Sequence, residues 1–302
     1  MSETPRLYFS CGRLWTIARN TMTEIIRQKF FYILVMFGIV VLTLSRFLAQ
    51  FSSIEQIKFM KDFSLAAITF FGAIIAIVST AQLLPLELEN RTIYPILAKP
   101  VFRAEFLFGK FLGMIVLLLL TVILMSLIFA GFLFYTEYQL VQSGGGASVG
   151  TPMAEATQQE VIAQIHKQTR DPDLLKAIGL IYVKVVVVSA ITLLISTFAT
   201  SVIFTVVASM MLYICGHLES AARQAWVGGD TLMGGGQAML RKGMLWIITF
   251  FVPDLNAFNV ADMVVNGQAV TLAYVGKTAG YGLFYSAVVL LVAHIIFQEK
   301  EI

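Results

Sequence analysis

The sequence predicts an all-α integral membrane protein with six transmembrane helices, and three observations lead there. Hydrophobic residues fill 58% of the 302 positions and charged residues 13%, with a mean hydropathy of +0.82. A water-soluble domain averages roughly 45–50% apolar and about 25% charged residues. The apolar residues are also gathered into runs long enough to cross the ~30 Å hydrocarbon layer as helices. Third, the stretch ELENRTIYPILAKPVFRAEFLFGK, residues 87–110, packs acids, bases and two prolines between two apolar blocks. The net charge of +3 is small and does not point to nucleic acid. Cys11 and Cys215 lie far apart, one in a basic segment and one in an apolar run. They read as small apolar fillers, not as a disulfide framework.

Residues 14–28, LWTIARNTMTEIIRQ, come first. At about 100° per residue, Leu14, Trp15, Ile17, Ala18, Met22, Ile25 and Ile26 share one half of a helix. Arg13, Thr16, Arg19, Asn20, Thr23, Glu24 and Arg27 share the other. Trp on one side and Arg on the other predict an N-terminal amphipathic helix lying in the membrane interface; packing on protein is the alternative. A charged, periodic segment ahead of the first apolar run, with no small-residue cleavage site after it, does not read as a secretory signal.

The spans follow at about 30–48, 64–84 and 106–135, with a linker over 50–63. A Gly-rich loop then leads to a short helix, with Thr151 as cap and Pro152 in its first turn. Asp171 and Pro172 start the fourth span in the same way. Residues 177–218 are almost continuously apolar, about 60 Å of helix and so two spans. STFATS, residues 196–201, is the predicted turn, and the fifth span covers about 202–217. The apolar run 244–252 is too short to cross and is interrupted by Pro253 and Asp254. It predicts a re-entrant element before the sixth span, because irregular backbone at depth must be buried in protein or line a cavity. The last span is about 278–297.

Six spans put both termini on one side. Arg6, Arg13, Arg19, Arg27 and Lys29 precede the first span and place that side in the cytoplasm. The polar stretch is then the one substantial cytoplasmic loop between spans, a short helix broken by Pro100. Ile93, Tyr94 and Leu97 stand among its charges as docking knobs for a soluble partner. Arg103 and Lys110 are placed to snorkel to the interface. Gly109 and Gly113 form a G-x-x-x-G pair that lets a helix approach closely, within the subunit or between subunits.

Lys184 lies about 10 Å into the fourth span. It either snorkels outward or lines a polar cargo path. Arg46 reads as interfacial. His217 and Glu219 sit too close along one helix to share a metal, and His166 and His294 lie elsewhere, so no metal site is expected. FLFGKFLG lacks the upstream glycine and the Ser/Thr of a P-loop. MGGGQ, residues 233–237, superficially resembles the signature motif of cassette ATPases but falls in an external loop. No nucleophile has an adjacent base, so no catalysis is expected from this chain.

Glu87-x-Glu89, then Thr92-Ile93 and Leu97, then KPVFR and GKFLG resemble the first cytoplasmic loop of ABC-2 type permeases, the transmembrane subunits of bacterial ATP-binding-cassette exporters. Arg91 stands where that family usually has Gly, and Phe102 where it has Ser. The N-terminal helix resembles the family's connecting helix, and VPDLNAFN its re-entrant segment. The resemblance implies a single ABC-2 type domain over 1–302: a connecting helix at 1–29, and spans one to three at 30–136 with a cytoplasmic coupling loop at 85–105. An extracytoplasmic loop at 137–176 and spans four to six at 177–302, with the re-entrant element at 243–267, complete it.

The resemblance also implies export across the bacterial inner membrane by a homo- or heterodimer of permeases seated on two cytoplasmic ABC ATPase subunits, which bind ATP and Mg. Accessory extracytoplasmic proteins are further possible partners, and this chain has no cofactor of its own. Glu87, Glu89, Arg91, Thr92, Ile93 and Leu97 take the ATPase-coupling role, and Arg103 and Lys110 anchor at the interface. The residues alone leave two other readings open. One is an ion-coupled secondary transporter with Lys184 or His217 in a proton relay, although no internal repeat supports it. The other is a membrane scaffold of an envelope complex that docks through 137–176.

Overall fold

In lipid, each backbone N–H and C=O must find its partner within the protein. The apolar runs accordingly close into helices. The computed structural model describes residues 11–48, 53–85, 103–142, 155–228 and 252–299. Within them the helices are α1 (Cys11–Ile26), α2 (Lys29–Leu48), α3 (Ser53–Ala81), α4 (Arg103–Gln142) and α5 (Glu155–Thr169), followed by α6 (Asp173–Phe198), α7 (Val202–Gly228), α8 (Ala261–Val265) and α9 (Leu272–Glu299). A 3-10 turn, Asn256–Phe258, precedes α8. Among the described residues, five helical stretches are long and apolar enough to cross a membrane; a sixth arises if α1 and α2, bent by 66° where they meet, count as one.

Burial sorts the spans. The apolar window that includes α6 is 72% buried within the protein and that of α3 67%, against 22% for α7 and 33% for α9. α3 and α6 therefore form the centre, and α4, α7 and α9 pack around α6. Val185, Val187, Ala190 and Leu193 of α6 are wholly enclosed. A helix that is hydrophobic all round belongs at such a centre. The rim helices instead show apolar side chains outward: Ile203, Phe204 and Met211 on α7, and Leu283, Phe284 and Leu291 on α9.

Two boundaries differ from the expectation. The segment 53–63, read as linker, is the first part of α3. Ile57, Met60, Lys61 and Ser64 recur at helical spacing and are buried, where α3 meets α5 and α8. The third span is also longer, 40 residues in α4, or about 60 Å. That is twice the hydrocarbon thickness, so the helix is longer than one crossing needs, and α5 packs on its far end. The turn falls where expected, between Phe198 and Val202. Just ahead of α6, whose N-cap position is Pro172, the Asp171 carboxylate accepts from the Asp173 amide at 3.0 Å. Thr151 and Pro152 lie outside the described residues.

The broken segment ahead of the last span is described from residue 252 onward. Several of its backbone groups meet partners within the protein. The Leu255 amide donates to the Gly216 carbonyl of α7 at 3.0 Å. The Asp254 carboxylate accepts from the amides of Asn256 and Ala257 at 3.0 and 3.2 Å. Val270 donates its amide to Asp173 and accepts from Lys176, both at 2.8 Å. Two glycines let the segment seat closely. A Cβ on Gly216 would lie 2.8 Å from Leu255, and one on Gly282 of α9 2.9 Å from Phe258.

α1 lies along the first turns of α4, and the G-x-x-x-G pair is what admits it. A Cβ on Gly113 would stand 2.5 Å from the Ala18 carbonyl oxygen; on Gly109, 2.9 Å from Ile17. The pair thus serves packing within the subunit. Ala18, Thr21 and Ile25 of α1 are buried, while Trp15 stays 59% exposed. Gly131, further along α4, has open space around it. In a helix interior Gly→Ala normally stabilises by roughly 0.5–1 kcal/mol, and overpacking costs typically about 1–3 kcal/mol. Thermal unfolding of the purified protein should therefore show Gly131→Ala neutral or stabilised and Gly113→Ala destabilised; equal effects would refute the close approach.

Candidate functional site

The first turns of α4 carry three charged side chains within eight residues, and each reaches a different part of the chain. Arg103 donates through Nη1 to the carbonyls of Gln298 and Phe297 at 2.9 and 3.4 Å. These lie in the last turn of α9, where carbonyls have no partner within the helix and a cation is favoured. Glu105 is fully buried, and its Oε1 accepts from Arg13 Nη2 of α1 at 3.1 Å. Lys110 is buried as well, and its ammonium donates to the Leu83 carbonyl just past α3, at 3.0 Å. It also stands 5.2 Å from the centre of the Phe106 ring, itself stacked on Phe297 of α9. Lys110 thus turns into the protein and does not snorkel, because the end of α3 offers it an acceptor. Together with Gly109 and Gly113, these groups join α1, the end of α3 and the end of α9 to one short piece of α4.

The polar stretch ahead of this junction falls largely outside the described residues, which resume at Arg103. Glu87, Glu89, Arg91, Thr92, Ile93 and Leu97 all lie there.

A second polar cluster sits inside the bundle. Lys184 of α6 is 3% exposed, and its Nζ lies 2.9 Å from Nε2 of His217 on α7. His217 Nδ1 is 3.1 Å from the Tyr213 carbonyl. A carbonyl can only accept, so Nδ1 carries the proton and Nε2 accepts from the lysine. Beside Lys184 is a void of about 10 Å³, lined by Thr69, Phe258 and Asn259 among others. That is room for about one water. The Lys184 side is therefore closed in this conformation, with the 252–260 segment packed across it. Among the described residues, no three His, Cys, Asp or Glu side chains gather as a metal site.

The sequence model of the ABC-2 family transporter proteins matches residues 15–302. The chain belongs to that family. No curated protein matches it. It is thus a multi-pass membrane protein of the ABC transporter permease type, and the family is a membrane component, not itself catalytic.

Within this ABC-2 chain, sequence reasoning passed over the partnership of Glu105 with Arg13. Arg13 stood on the polar half of α1, and Glu105 was simply one acid among the charges. The signal available was Glu105 two residues after Arg103, beside the glycine pair. The Lys184–His217 contact joins residues 33 apart on adjacent spans, and only the way α6 packs on α7 reveals it.

Removing either partner of a coupled pair should not be additive. A double-mutant cycle of Arg13→Ala and Glu105→Ala, read by thermal unfolding of the purified chain, should give a coupling of about 0.5–3 kcal/mol. A cycle that closes at zero would show that the contact carries no energy.

Proposed function

We propose that this chain is the permease subunit of an ABC exporter, moving its substrate out across the bacterial cytoplasmic membrane with energy from ATP hydrolysed by a separate subunit. The observation that carries the reading is the family match over residues 15–302. Consistent with it, the polar stretch 87–102 runs directly into the junction at the head of α4. Glu87, Glu89, Arg91, Thr92, Ile93 and Leu97 form a cytoplasmic coupling helix docked on the ATPase, which binds ATP and Mg. The termini are cytoplasmic, and α1 lies at the membrane interface as a connecting helix. Arg103 and Lys110 anchor the cytoplasmic ends of α9 and α3 to α4. Two such permeases, alike or different, sit on two ATPase subunits, with extracytoplasmic accessory proteins as further partners.

Closure of the ATPase pair pushes the coupling helix along its axis. The push enters α4 at Arg103 and is shared with α1, α3 and α9 through side chains already in contact. Lys184 then lines the path that opens when the segment at 252–260 withdraws from α7 and α9. A buried lysine in a span is costly and is retained for function or for a partner.

Two experiments test this reading. The tagged chain should co-purify with a cassette ATPase, and Glu87→Ala or Leu97→Ala should reduce the ATP hydrolysis of the complex at least severalfold. Unchanged hydrolysis in both variants would remove the docking site. Transport by the chain alone in vesicles under an ion gradient would overturn the ATP-driven reading altogether.

A further inference from the structure

At the end of the bundle away from α1, α4 and α5 enclose a cleft of about 270 Å³. It is lined by Phe134, Glu137, Tyr138 and Val141 of α4 and by His166 and Arg170 at the end of α5. Glu137 is buried, and its Oε1 engages both His166 Nδ1 and, at 3.6 Å, Arg170 Nε. One carboxylate thus holds two basic side chains against α4 without covering them. The Arg170 side chain remains 69% exposed and that of His166 44%.

The apolar side of the cleft continues down the helix. Leu120, Leu124, Leu127, Phe134 and Tyr138 are all exposed and recur at helical spacing, so they form one stripe along α4. Gly131 interrupts the stripe with open space. From Leu127 to Tyr138 is about 16 Å along the axis, close to half of the ~30 Å hydrocarbon layer and so the depth of one leaflet. Gln142 donates to the Tyr138 hydroxyl at 2.6 Å, which sets that ring at the mouth of the cleft. Exposed aromatic rings at this level are what a membrane–water interface selects.

We propose that this cleft binds the phosphate headgroup of a membrane phospholipid, with an acyl chain lying on the α4 stripe. The guanidinium fork of Arg170 suits a phosphate by geometry, pairing two N–H groups with two oxygens. His166 stands beside it, held by the same carboxylate. The cleft is smaller than the roughly 300–1,000 Å³ that take a drug-sized molecule, and it suits a headgroup whose tails stay in the bilayer. Glu137 offsets part of the positive charge at the top, so it is the apolar continuity below that favours a lipid over a free anion. The inference concerns the end of the molecule opposite the α4 head and does not depend on how export is powered.

The test titrates the purified full chain in detergent with phosphatidylglycerol, diacylglycerol and glycerol 3-phosphate, and reads the first bound molecule by native mass spectrometry. Phosphatidylglycerol should bind at least about tenfold more tightly than diacylglycerol, a factor one charge-assisted hydrogen bond supplies, and also more tightly than glycerol 3-phosphate, which has no acyl chain to bury. Arg170→Ala should bring it down to the level of diacylglycerol, and Arg170→Lys should recover part of the loss. Arg170→Lys keeps a cation beside the buried Glu137, so its thermal unfolding midpoint in detergent alone should match the wild type. Tyr138→Ala should weaken lipid binding and leave glycerol 3-phosphate unchanged. Equal binding of phosphatidylglycerol by the wild type and Arg170→Ala would overturn the proposal. So would glycerol 3-phosphate binding as tightly as the lipid, which would make the cleft a site for free anions.

Discussion

Charge buried at the head of α4 is the constraint on which the rest of the structure depends. A carboxylate or ammonium cannot be taken out of water unless it is paired or hydrogen-bonded. Glu105 and Lys110 are both buried, one facing Arg13 of α1 and the other the carbonyl of Leu83. Arg103 meets the carbonyls that end α9. These contacts fix where three other parts of the chain lie relative to α4. The glycine pair then lets the α1 backbone approach to a distance no side chain would permit. Apolar packing is non-directional and would allow the helices to slide; the charged contacts give them a register.

The remainder of the bundle follows from burial. α3 and α6 are enclosed and form the central support, whereas α7 and α9 present most of their apolar surface outward. The broken segment before α9 is keyed into α7 at Gly216 and into α9 at Gly282. It therefore depends on two of the least enclosed spans. A shift of either withdraws a glycine seat, and the segment over Lys184 and His217 is loosened with it. The molecule thus has a charged, tightly tied end and an end closed by shape. That division suits a membrane protein driven from one face.

Much of the fold could be read from the sequence because lipid imposes a simple rule. Long apolar runs must be helices, and the break at 196–201 needed only the arithmetic of helix length against bilayer thickness. The extension of α3 back to Ser53 was hidden because Lys58, Lys61 and Asp62 make that segment resemble a linker. Its helical face becomes evident only once α5 and α8 supply something to bury it against. The true length of α4 was hidden in the same way, since Glu137 and Gln139 look like the end of a span. For the site, the charges and the glycine pair were visible and their partners were not. Pairing across 92 residues, as between Arg13 and Glu105, depends on tertiary packing that no local pattern encodes. The role of Glu87–Leu97 rests on family resemblance, as that stretch lies outside the described residues.

If the head of α4 is a clamp, then α1 and α9 move as one body. The most direct measurement is a pulsed electron-resonance distance between labels at Arg19 on α1 and Ile295 on α9, both exposed. It is made in the full complex with and without ATP, in a background lacking Cys11 and Cys215. A single narrow distance that ATP leaves unchanged is the predicted result. A distance that shifts or splits when ATP binds would contradict the clamp.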